Sequence, residues 1–586
     1  MQADNVELYT FMNRSQTRIA LGALAAMIFL ASACSGSQKR ADKTPKAPPV
    51  PSMQVANLGP KTVAYAVVPN LQATVERFES MVTQLDGNQR SPLLPEVITE
   101  LSGMAGWTNV NGTAFDKPMG VLLLDTKPGL EPNDVAIFFS IKDEQAFVNQ
   151  FDGAQAGPGG NAHIFTSYTI PGGNGYINFI DDKAVITADV ETFAIYKGAV
   201  ETLAKSNANG QDMLLGLELG NYMANHKAEV DQSLAGLRQM MAMFSPPGVG
   251  GNTDSAFDML DVFLNDTDRM EVGVTFNPDS VTVESLMAFK DGTTAARFLK
   301  EQPVANTDIL KGMPGDAAIL MSGGINFNAA DGAMSKFVIR MTASMFPPEV
   351  LEDPEFQSAF NESFAQLDSS MATVFTGTEG QMPSLIGGYA QIYTVKDTDK
   401  YRAAYRKMSQ FYTRPDVANT LVSSMGMTTT FTPDAYKIGD VTVDRLTMTF
   451  DPAKAQDPNM AMGLQLMGMT EPINTDIACV NKRCYTVIDA DPRPALTNLL
   501  KTNNKAQPKL SPNVAVAAKR ALASPTLFMY FSYDGLGRML GGFGGPSPFE
   551  TFAPNQGADF SLSARGRFLM TRLNIPLKGK AAAQAQ

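Results

Sequence analysis

One pattern constrains this chain more than any other: an apolar strand that ends in Lys-Asp and runs straight into a helix. It occurs at residues 137–143, ahead of a helical stretch 144–151. It occurs again at 286–291, ahead of Ala295, Phe298 and Leu299, and at 392–397, ahead of Tyr401, Ala404 and Tyr405. An aspartate at such a junction can accept hydrogen bonds from the free N–H groups of the first helical turn. Asp143, Asp291 and Asp397 are therefore assigned a structural task rather than a catalytic one.

A second pattern alternates with the first: a strand, a short polar turn, then a longer helix. Residues 63–68 lead through Pro69-Asn70 into a helix whose Val75, Phe78, Val82 and Leu85 share one face. Residues 214–219 precede a helix around 221–243, residues 317–321 one around 330–345, and residues 527–531 one at 536–540. Two of these helices end alike, at 240–247 and 341–348, each in Met-Phe and a proline pair that cannot continue the helical ladder. Each half also holds a hairpin-like middle, at 175–188 and 435–450.

The alternation predicts a duplication with its boundary near 302–312, and hence domains at 59–305 and 306–580 with a disordered tail at 581–586. The expected fold class is α+β: duplicated strand–helix units forming antiparallel or mixed sheets covered by helices. A chain of 586 residues is also too long for one ordinary core.

The start of the chain has a different character. Arg14 and Arg18 precede a short apolar run, 22–33, that ends in small residues and Cys34. Basic, then apolar, then small is the order of a secretory signal, and the run is too short to span a membrane. Ending in a cysteine, it resembles the lipobox of bacterial lipoproteins, although Leu30 stands one place earlier than the motif prefers and Ala31 takes its position. The resemblance implies that residues 1–33 are a signal peptide and that Cys34 becomes a lipid-bearing N-terminus. Asp4 and Glu7 do not suit a signal, and translation is expected to begin at Met12. Residues 34–58, rich in proline and lysine, read as a tether. Ser35, rather than Asp, follows the cysteine, which by the same resemblance favours the outer membrane, facing the periplasm or the exterior.

With Cys34 set aside, Cys479 and Cys484 remain, flanking Asn481-Lys482 ahead of an apolar strand. An exported protein with one such pair is expected to close a small disulfide loop, contributing ~2 kcal/mol. The net charge of −12 disfavours nucleic acid as a partner and broad adhesion to anionic lipid.

Few residues suggest chemistry. His163 and His226 stand alone, and neither is expected to be a general base. No Gly-x-Ser-x-Gly elbow, phosphate-binding glycine loop or histidine pair with metal spacing occurs. The acidic stretches 181–182 and 265–268 lack the rest of a calcium loop. Trp107 reads as packing. No cofactor and no metal are expected.

The unusual residue is methionine, with 33 copies. Met240, Met243, Phe244, Met341, Met345 and Phe346 are the residues that could contact an apolar ligand, though a core role for them is the simpler reading. The strand–Lys-Asp–helix elements, together with 510–522 ahead of the strand at 527, resemble the uncharacterised exported DUF3352 family, a resemblance that implies no catalytic residue. The sequence thus predicts a non-enzymatic, lipid-anchored envelope protein that scaffolds or binds another envelope protein. The alternative is a periplasmic carrier or sensor of a lipid or other apolar ligand.

Overall fold

The computed structural model describes residues 58–86, 92–105, 107–125, 134–157, 162–166, 174–188, 193–205, 210–244, 260–324, 326, 353–375, 388–454, 472–503, 508–541, 552 and 554–577. The chain divides into two compact units: residues 1–236, 264–290 and 576–586 in the first, and 237–263 and 291–575 in the second.

In the first unit the elements run β1 (Thr62–Val68), α1 (Leu71–Asp86), α2 (Leu93–Ala105), β2 (Met119–Leu124), β3 (Asp134–Ser140), α3 (Glu144–Val148), β4 (Gln155–Ala156), β5 (Ala162–Thr166), β6 (Asn174–Ile180), β7 (Lys183–Thr187), α4 (Phe193–Lys205), β8 (Met213–Leu217), α5 (Leu219–Phe244), β9 (Thr267–Asn277) and β10 (Ser280–Phe289). The strands hydrogen-bond in the order β4-β5-β6-β7-β3-β2-β1-β8-β9-β10, each antiparallel to its neighbours. Around β3 both faces of this sheet are buried. In β3, Phe138 enters a cluster with Tyr65, Leu122, Val185 and the α4 residues Tyr196, Val200 and Leu203. Its neighbour Phe139 enters the opposite cluster, with Trp107, Phe147, Phe151 and Ile177. Successive side chains of a strand point to opposite faces, so a strand buried on both sides reads as a continuous apolar run.

The second unit contains α6 (Thr294–Lys300), β11 (Ile319–Gly323), α7 (Pro354–Gln366), β12 (Leu367–Phe375), β13 (Tyr389–Val395), α8 (Thr398–Phe411), α9 (Pro415–Met425), β14 (Met427–Ile438), β15 (Val441–Phe450), β16 (Ile473–Val480), β17 (Arg483–Asp489), α10 (Arg493–Asn503), α11 (Pro512–Arg520), β18 (Leu527–Ser532), α12 (Tyr533–Gly541), β19 (Gly557–Arg565) and β20 (Phe568–Pro576). Its strand order is β14-β15-β16-β17-β13-β12-β11-β18-β19-β20, again antiparallel throughout. The connections are therefore made in the same order in the two units.

This architecture corrects the expected fold class. The strand–helix units do not stand as separate α+β modules, each with its own helix-covered sheet, and no described strand pairing is parallel. β1 and β8 open two different expected units yet are hydrogen-bonded neighbours, as are β11 and β18. The physical reason is the backbone. A strand in a small isolated unit leaves a row of N–H and C=O groups without partners. Pairing between successive strand–helix repeats within each compact unit satisfies them and produces extended antiparallel sheet.

Local details follow the sequence more closely. Asp143 accepts from the Ala146 amide at 2.7 Å and caps α3; Asp397 accepts from the Asp399 and Lys400 amides and caps α8. The third junction differs: Thr293 caps α6, and Asp291 is exposed, 3.9 Å from Arg567. Asn481 and Lys482 both adopt positive φ, 52° and 60°, making the two-residue turn between β16 and β17. Turns of this kind match strand twist. Cys479 then lies directly opposite Cys484, and the two form a disulfide.

Several expectations fall outside the described residues: the signal and Cys34, the tether up to residue 57, the helix around 330–345 with Met341, Met345 and Phe346, and the tail at 581–586. Met240, Met243 and Phe244 lie on α5, but their side chains are outside the described set.

Candidate functional site

A group of buried ionisable side chains in the first unit lies at the root of α5. It starts in the sheet. Gly216 of β8 is opposite Glu271 of β9 and opposite Tyr65 of β1. The Tyr65 ring occupies the space that a side chain at Gly216 would fill. From there the phenol donates to Glu271 Oε1 at 2.9 Å. Glu218, two residues beyond Gly216, points to the same face. Arg269 is the cation between the two glutamates, its Nη1 3.9 Å from a carboxylate oxygen of each.

One guanidinium at that distance does not offset the burial of two carboxyls. Burial pushes Glu218 up to about 7, against the pull of Arg269 and reinforced by Glu271. Glu271 is likewise raised by burial, opposed by the Tyr65 hydrogen bond and by Arg269. The Tyr65 phenol is raised by burial and by Glu271. Glu271 Oε2 and Glu218 Oε1 are buried without a hydrogen-bond partner.

α5 begins one residue after Glu218. Its first turns are tied to the sheet by Asn221, whose Nδ2 donates to the Gly59 and Thr62 carbonyls at 3.0 and 2.9 Å. His226 then leaves helical geometry (φ −125°, ψ 17°) and kinks the helix. Its Nε2 lies 2.8 Å from Asp125 Oδ2, and both side chains are buried. Asn225 Nδ2 donates to the same oxygen at 2.5 Å, and the Tyr222 ring packs on the imidazole at 4.9 Å. Past the kink the burial ends. Residues 227–229, 231–233, 235–237 and 239 are exposed, while Val230 and Leu234 are half-buried. Lys227 reaches Asn265 Oδ1 at 2.9 Å and Asp231 at 3.2 Å.

Chemically the arrangement is a clamp. It lacks a nucleophile set against a base, and among the described residues no group of three His, Cys, Asp or Glu side chains is placed to hold a metal ion. The two histidines are far apart in role: His163 sits in β5 with its ring 6.0 Å from Phe179, and His226 anchors the kink. Trp107 packs against Phe139, Phe147 and Phe151. Sequence reasoning passed over Asp125, Glu218, Arg269 and Glu271. Only Glu271 carried a local signal, as an acid between Met270 and Val272.

Among the described residues no helix is long and apolar enough to cross a membrane. No family model matches the chain, and no curated protein matches it. Two solved structures are similar to part of it. The structure of crystal form IV of TP0453 has 10% identity and a TM-score of 0.20, covering 40% of this chain and 81% of that one. The structure of crystal form III of TP0453 has 9% identity and a TM-score of 0.21, covering 40% and 79%.

Proposed function

We propose that this chain is a lipid-anchored cell-envelope protein with a non-catalytic scaffolding or partner-binding role. Lipid at Cys34 holds it to the membrane, and the limb of α5 beyond His226 presents a surface to another envelope protein. The observation that carries the reading is the contrast along α5. The first turns are fastened by Asn221, Asn225 and His226, and the limb that follows is largely exposed while keeping Val230 and Leu234 on one stripe. Apolar residues at that spacing share a helix face, the pattern used when a helix meets a groove or a second helix.

The test is photocrosslinking in intact cells, with the reactive residue placed at Gln232 or Ser233 on the limb and, as control, at Gln145 on α3. A discrete protein adduct from the limb alone is expected. Crosslinking to lipid without protein supports the carrier reading instead. Alongside it, Cys34→Ser is expected to move the protein from the membrane to the soluble fraction; retention of the variant in the membrane overturns the anchor.

A further inference from the structure

β4 and β14 stand at the same end of the strand order in their units, and each pairs on one side only among the described residues, β4 with β5 and β14 with β15. They are managed differently. β4 is two residues long. β14 is twelve. Short edges, charges, prolines and bulges are the devices that keep an exposed edge from pairing with another chain. The second half of β14 has them: Pro433, Asp434 at φ 52°, Lys437, and a register shift between Thr432 and Tyr436. The first half, Met-Thr-Thr-Thr-Phe-Thr at 427–432, has none.

The hairpin register says which backbone groups are not used by β15. Ile438 and Val441 close the turn, so alternate residues of β15 from Val441 onward bond to β14. Thr428, Thr430 and Thr432 face β15 residues of that set. The N–H and C=O groups of Met427, Thr429 and Phe431 therefore point away from β15. The side chains of Thr428, Thr430 and Thr432 are exposed.

We propose that this half-edge pairs with the same segment of a second copy, forming an antiparallel two-fold dimer centred on Thr429. In that register Thr428 of one copy lies opposite Thr430 of the other, and Met427 opposite Phe431. Every cross-strand pair is neutral, and threonine pairs are favourable. The segment is uncharged in a chain of net charge −12, so it is a place where two copies meet without opposing like charges. A two-fold contact needs one self-complementary patch, and the bulge and Pro433 fix its length. The inference is independent of the role proposed for α5.

The experiment is native mass spectrometry and light scattering on the full chain in detergent over a concentration series. A dimer is expected. T429P removes an outward N–H without touching the β15 ladder, but it also removes the Thr429 hydroxyl that donates to the Tyr412 carbonyl at 2.7 Å, so T429V, which loses that bond and keeps the N–H, is its control and is expected to stay dimeric. T428K/T430K sets lysine opposite lysine; it and T429P are each expected to leave monomer with an unchanged circular dichroism spectrum. Mixing T428K/T430K with T428E/T430E is expected to restore a dimer, now mixed. A wild-type chain that stays monomeric throughout, or a dimer indifferent to both T429P and T428K/T430K, overturns the proposal.

Discussion

Glu271 in β9 and Asp559 in β19 hold the same place in their sheets. Glu271 lies opposite Gly216 and Asp559 opposite Tyr530, and two residues further on Glu218 and Ser532 donate their amides to Val63 and Ala318 respectively. Both side chains are fully buried or nearly so. Their partners differ. Glu271 has a phenol and a distant arginine. Asp559 receives Arg520 Nε and Nη2 at 3.0 and 2.6 Å and Asn574 Nδ2 at 3.3 Å. The second unit repeats that solution. Asp444 is gripped by Arg402 and Arg406 and by the Asp434 amide, and Asp476 by Arg445. Burial acts to raise Asp444, but the bonds from Arg406, Arg402 and Asp434 outweigh it, and the carboxyl lies below its ordinary value. One strand order thus tolerates two kinds of partner for a buried acid: a phenol and a distant arginine at Glu271, and close guanidiniums at Asp559, Asp444 and Asp476. Burial still raises Asp559 despite Arg520, whereas Asp444 is pulled below its ordinary value.

The comparison can be broken from its strongest side. Asp444→Ala leaves Arg402 and Arg406 with Asp434 as their acidic partner and takes the acceptor from the Asp434 amide; because water reaches both guanidiniums, the loss is expected at the low end for breaking a buried pair, about 3 kcal/mol. Denaturant unfolding measures the loss, and hydrogen exchange is expected to confine it to the second unit. Next, Glu218 moves from 4.5 in the unfolded chain to about 7 in the fold. The folded first unit keeps a proton that the unfolded chain releases, so its stability falls as pH rises between those values, by roughly 3 kcal/mol in total. Glu218→Gln is expected to flatten that slope, leaving the part that the raised Glu271 contributes, and to be the more stable form at pH 8. Asp444 works in the opposite sense: its contribution is present above 3.8 and is lost as pH falls through its lowered value. A smaller effect comes from Cys479→Ala/Cys484→Ala, which is expected to cost ~2 kcal/mol because the closed loop is short. Smallest is Tyr65→Phe, about 1 kcal/mol for one lost hydrogen bond to a buried carboxyl, with the pH slope steepened rather than flattened.

What the sequence made legible is what neighbours decide. Asp143 and Asp397 cap helices that begin one residue later, and the turn at Asn481-Lys482 brings two cysteines face to face. The exception is instructive. Asp291 has the same strand before it, but Gly292 adopts φ 79° and shifts the helix start to Thr294, so Thr293 takes the cap. Strand partnership was not legible, because Tyr65 meets Glu271 across 206 residues and no local pattern records that register. The arginine grips were half visible. Arg402 and Arg406 are four apart and share a helix face, which announces a paired anion but not that it is Asp444 on β15.

The disulfide sets a direction for its own chemistry. Cys484 is fully buried, and the bridge lies in a cluster with Tyr401 and Tyr405 of α8. Cys479, by contrast, is only half-buried. The two ends of the bond are therefore unequal: a thiol reagent attacks the disulfide at the Cys479 sulfur, and Cys484 beneath α8 is the leaving group. Reduction and oxidation of this staple pass through one accessible sulfur, with the other shielded by the helix.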